Sequence, residues 1–143
     1  MENPRWRREA KDVLYTYGAN VQRLREIERD VLYRGRVRRD NRYGKGGLVD
    51  NTAMKALELL NEDTEYLRRA VRAVELLVRA LTTNRRVDRD RLHLLELVYF
   101  QARTGVYGAA VLLDVSERTA KRWNDWALRF VGRQMGLLPP ETE

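Results

Sequence analysis

Apolar residues in this chain return every three or four positions, and nowhere do they alternate long enough to make a strand. The clearest run is Leu67, Ala70, Val71, Val74, Leu77, Val78 and Leu81. It forms one stripe of a helix, with Arg68, Arg69, Arg72, Glu75 and Arg79 elsewhere on the circumference, and such a stripe packs into a core.

The same period marks further helices. Pro4 suits a helical first turn with Asn3 as its cap, and Trp6, Ala10, Val13 and Tyr17 share a face until Gly18 ends the segment. Asn20 caps a second helix, with Val21, Leu24, Ile27, Val31 and Leu32 on its apolar side. The period is lost over 35–50, where Arg36, Arg38, Arg39, Arg42 and Lys45 mix with Gly44, Gly46 and Gly47, so this stretch reads as a flexible basic loop. Asp50 or Asn51 caps a helix that reaches about Asn61 and carries Ala53, Leu57 and Leu60; Asp63 or Thr64 starts the striped one. After a polar break over 82–87, Asp88 caps a helix with Leu92, Leu95, Val98, Tyr99 and Ala102 inside, ended by Thr104 and Gly105.

The pattern predicts an all-α helical bundle of six or seven helices. Its parts are an N-terminal helical pair over 1–34, the loop over 35–50, a helical domain over 51–138 with a helix-turn-helix at 105–135, and a disordered tail over 139–143. The helix-turn-helix reading rests on particular residues. Ala109 and Ala110 are small enough for two helices to cross, Val106 and Leu113 face the core, and Val115 plugs it. Asp114 falls at the turn position that favours a left-handed backbone, usually glycine. Ser116 is a strong N-cap, and Glu117 adds a favourable charge at the helix start.

The outer face of that second helix gives the candidate site. Ala120, Trp123, Ala127 and Phe130 are spaced to face inward, leaving Glu117, Arg118, Lys121, Arg122 and Asp125 outward on the turns that reach base edges in such motifs. Arginine pairs bidentately with guanine, so Arg118 and Arg122 are the leading base readers. Tyr107, Ser116, Thr119 and Arg129 are candidate contacts to the DNA backbone.

Charge strengthens this picture. The 143 residues carry a formal net charge of +7, which suggests an anionic partner, with nucleic acid the commonest. No run of about 18 apolar residues is present, so no membrane span is expected. The charged start leads into no apolar stretch, so no secretory signal is expected either. Cysteine is absent and His93 is the single histidine. That rules out disulfides and thiolate nucleophiles and leaves no catalytic triad or metal spacing, so an enzyme, a metal site or a cofactor is not expected. His93 reads as structural or exposed. Gly44-Lys-Gly-Gly lacks the order of a phosphate loop and reads as a turn.

Val115-Ser-Glu-Arg-Thr-Ala-Lys-Arg-Trp resembles the helix-turn-helix of the sigma-70 region 4 class. With Leu94-Leu-Glu-Leu-Val-Tyr-Phe, Asp50-Asn-Thr-Ala-Met-Lys-Ala, Lys45-Gly-Gly and Met135-Gly-Leu, residues 10–138 are similar to phage late-gene transcriptional regulators of the RinA and ArpU type. Asp114 in the turn and Ala120, where a β-branched residue is usual, depart from the class. The resemblance implies a DNA-binding activator of phage or prophage genes in a bacterial cytoplasm, with double-stranded DNA and host RNA polymerase as partners. A homo-oligomer, dimer favoured, fits the limited contact one motif offers. Two other readings stay open: a phage DNA-packaging component similar to a small terminase subunit, and a helical protein-interaction module.

Overall fold

In a computed structural model, the backbone is described for residues 3–40 and 51–140 and side chains for 3–33 and 61–140. The described chain is all-α, with six α-helices and one π-turn and no strand: α1 (Arg5–Tyr15), α2 (Tyr17–Asp40), α3 (Asn51–Leu81), α4 (Arg86–Leu95), the π-turn (Glu96–Phe100), α5 (Val106–Leu113) and α6 (Glu117–Gln134). The residues 41–50, with the Gly44–Gly47 turn, and the tail residues 141–143 lie outside the described residues, as do the side chains of Ala53, Leu57 and Leu60.

Several boundaries differ from the sequence reading, each for a local reason. Pro4, not Asn3, occupies the N-cap of α1, and no side chain bonds there; proline's fixed φ suits a helix start, and it has no N–H to satisfy. Gly18 does not end α1. The break comes at Thr16, whose hydroxyl donates to the Asp12 carbonyl at 2.6 Å, and Gly18 and Asn20 lie inside α2. The Asn20 amide donates to the Thr16 Oγ1 at 3.1 Å instead of capping a helix of its own. Glycine inside a helix costs only about 1 kcal/mol relative to alanine, so it need not stop one.

The two helices read over 51–61 and from 63 onward are one. Asn61, Glu62 and Asp63 are exposed on the solvent side of a continuous α3, and Thr64 is buried. These residues favour helix ends only when the backbone leaves the helix beside them, and no glycine or proline makes it do so here. Likewise α2 continues to Asp40, making 35–40 helical and not loop. At α4, Arg85 takes the N-cap; Asp88 sits in the first turn, where its charge suits the helix dipole, and accepts from the Thr83 hydroxyl at 2.7 Å.

One core joins the two ends of the chain. Ala10, Val13 and Leu14 of α1 pack with the α3 stripe (Ala70, Val74, Leu77, Leu81), with Leu94, Leu95, Leu97, Val98 and Tyr99, and with Ala120, Trp123, Ala127, Leu128 and Val131 of α6. Each fully buried leucine contributes on the order of 2 kcal/mol relative to leaving it in water. α6 packs against α1, α3, α4 and α5, and so stands at the centre. Most of the described side chains of α2 are exposed. Ile27 is buried, but Val31 and Leu32, read as part of an apolar face, are exposed, as is Tyr33.

The π-turn corrects the inner face expected before the motif. Gln101 N donates to the Glu96 carbonyl at 2.7 Å across five residues. The wider turn admits an extra residue and shifts the register, so Leu94 and Leu97 are buried beside Leu95, Val98 and Tyr99. Ala102, expected inside, is exposed and left-handed at φ 48°, where the chain leaves the helix.

Candidate nucleic-acid interface

The turn between α5 and α6 is built as the spacing predicts. Asp114 adopts φ 56° and ψ 47°, the left-handed conformation. Val115 N donates to the Ala110 carbonyl at 3.0 Å and Asp114 N to the Val111 carbonyl at 3.2 Å. These are the paired bonds of a Schellman ending, which satisfy carbonyls the helix leaves open. Ala109 and Ala110 are buried, and Val106, Leu113 and Val115 pack against the core.

Ser116 then caps α6. Its Oγ accepts from Thr119 N at 3.1 Å and donates to Thr119 Oγ1 at 2.9 Å. Both residues, read as backbone contacts, spend these groups on the cap. Behind them Ala120, Trp123, Ala127, Leu128 and Val131 are buried, so the opposite face of α6 is fixed outward.

The candidate residues divide into two groups on that face. Arg118 and Arg122, one turn apart, are exposed, and among the described residues neither makes a hydrogen bond or ion pair within the chain. Lys121 and Glu117 form an exposed pair at 3.1 Å, which is weakly stabilising and readily exchanged for other partners. Tyr107 projects from α5 and is exposed.

Asp125 belongs to the second group, and its outward, base-reading placement needs correction. Its carboxylate accepts from Arg7 Nη1 at 2.6 Å and from Arg129 Nε at 2.8 Å, so it is held between α1 and α6. Burial works to raise its pKa, but the hydrogen bonds and charges of Arg129 and Arg7 outweigh that and hold it below the ordinary carboxylate value. Arg129, read as a phosphate contact, is engaged with Asp125 and lies over the Trp6 ring, 5.3 Å from its centroid.

Two residues of this region were not picked out from the sequence. Asn124 is buried, and its Oδ1 accepts a hydrogen bond from the buried Tyr99 hydroxyl. Burial pushes the Tyr99 hydroxyl far above its ordinary pKa, so it remains a donor. The Tyr15 ring meets the Tyr99 ring edge-on at 4.8 Å. A signal for Asn124 existed, because residues 120, 124, 127, 128 and 131 share one helical face, and a polar residue on an apolar face signals a buried partner. Arg7 had no such signal, being 118 residues from Asp125.

Among the described residues no group of three or more His, Asp or Glu side chains is placed to hold a metal ion, and no helix is long and apolar enough to cross a membrane. His93 is exposed. No family model matches the chain, and neither a curated protein nor a solved structure matches it.

Proposed function

We propose that this protein is a sequence-specific DNA-binding transcriptional regulator that reads the major groove with α6. The observation that carries the reading is the pair Arg118 and Arg122: two exposed, uncommitted guanidinium groups, one turn apart, on the first turns of a capped helix braced by the core. Free arginines in that register match paired guanine acceptors. Lys121 and Tyr107 flank them for phosphates, and the net charge of +7 draws the protein to a polyanion. A homodimer on double-stranded DNA supplies the second half-site. The resemblance to RinA- and ArpU-type regulators supports action on phage or prophage genes with host RNA polymerase in a bacterial cytoplasm.

Selection of duplexes from a random pool tests this, followed by affinity measurements at two salt concentrations. The selected site is bound more tightly than a scrambled one. Arg118→Ala and Arg122→Ala each relax discrimination at one position by about 1–3 kcal/mol, whereas Lys121→Ala weakens all duplexes alike and lowers the salt slope by about one. Unchanged DNA affinity in the arginine variants overturns the reading in favour of a helical interaction module. A ring of many subunits in solution, in place of a dimer, favours the packaging role.

A further inference from the structure

α6 is gripped at two successive residues by distant parts of the chain: Asn124 by Tyr99 of the π-turn, and Asp125 by Arg7 of α1. Arg118 and Arg122 lie just N-terminal to these grips, and their direction depends on how α6 is rotated about its own axis. The core beneath them, with Trp123, Leu128 and Val131 beside the small Ala120 and Ala127, fixes which face of α6 points outward, and contacts at its rim trim the last few degrees. A helix with its side chains has a radius of about 5–6 Å, so a turn of about 10° carries a side-chain tip by about 1 Å. A recognition constellation tolerates only about 0.5 Å and 10–20° of misplacement.

The Arg7–Asp125 contact is such a rim contact. It is short, at 2.6 Å, and lies at the rim of the core with side chains 27% and 38% exposed. At such exposure an ion pair adds little stability, and what it fixes is geometry. It also occupies Asp125, so the carboxylate that follows Arg122 on the helix neither accepts from a base nor faces a phosphate unneutralised.

We infer that Arg7, on a helix outside the helix-turn-helix, is a specificity-determining positioning residue: by holding Asp125 it sets the rotation of α6 and hence the aim of Arg118 and Arg122. This rests on the DNA-reading function proposed above.

The test uses the full chain with Arg7→Gln and Asp125→Asn, singly and together, and reads the ratio of affinities for the selected and the scrambled duplex. Each single variant lowers that ratio by about tenfold, the scale of one misaligned base contact. The double variant is no worse than Asp125→Asn alone, because that substitution already removes the charge that Arg7 holds. Partial unfolding scales both affinities alike and leaves the ratio unmoved, so a merely structural role gives an unchanged ratio and overturns the inference. So does the opposite-sign result, in which Arg7→Gln weakens and Asp125→Asn strengthens both duplexes equally and additively, the behaviour of independent surface charges. A wild-type chain that discriminates between duplexes while its variants keep the same ratio defeats this inference alone. A wild-type chain that does not discriminate defeats the DNA-reading function, and this inference with it.

Discussion

The Tyr99 hydroxyl donates to Asn124 inside the core, tying the π-turn directly to the helix that carries Arg118 and Arg122. Tyr99→Phe removes the donor and leaves the Asn124 side chain buried with its acceptor unmet. The expected loss is about 1–3 kcal/mol, the desolvation penalty of an unsatisfied polar group. Chemical denaturation checks it. Tyr99→Phe combined with Asn124→Leu recovers part of the loss, because neither partner is then left polar and alone.

The same tyrosine gives the fold an alkaline limit. Burial raises its pKa above the ordinary value of 10.0, so from about pH 10 the unfolded chain gives up this proton while the folded chain keeps it. Stability from this group is full below pH 10 and falls as the pH rises beyond it. Thermal midpoints measured from pH 8 to 11 fall at the alkaline end in the wild type, and less steeply in Tyr99→Phe. An identical slope in both would show that another group sets the limit.

Asp114 holds a left-handed backbone that glycine adopts without penalty. Asp114→Gly is expected to raise stability by about 1 kcal/mol, and Asp114→Val to lower it by at least as much, since a β-branched residue at positive φ is strained. Differential scanning calorimetry of the two variants checks the sign of each. Neither substitution touches Arg118 or Arg122, so DNA discrimination stays with the wild type.

Much of this architecture could be read from the chain because it depends on local periods. The α3 stripe, the paired alanines at 109 and 110, the left-handed turn at Asp114 and the Ser116 cap each follow from a few neighbouring residues. The continuity of α3 through 61–64 was hidden because Asn, Asp and Thr suit either a cap or a solvated helix face, and the absence of a breaker decides between them. The π-turn was hidden because one extra residue in a turn changes the inner face without altering composition. At the candidate site, spacing identified Arg118 and Arg122 as outward. It could not show that Asp125, on the same side, was claimed by Arg7 from the other end of the chain.

The packing of α1 onto α6 has a consequence during synthesis. Residues 5–15 are made long before 117–134, so Ala10, Val13 and Leu14 wait without the surface that finally covers them. Until 117–134 have left the ribosome, α1 lacks its seat on α6. The motif excised at 105–135 would lack both clasps that steady it, so its behaviour as an isolated peptide would describe a looser object than the intact protein.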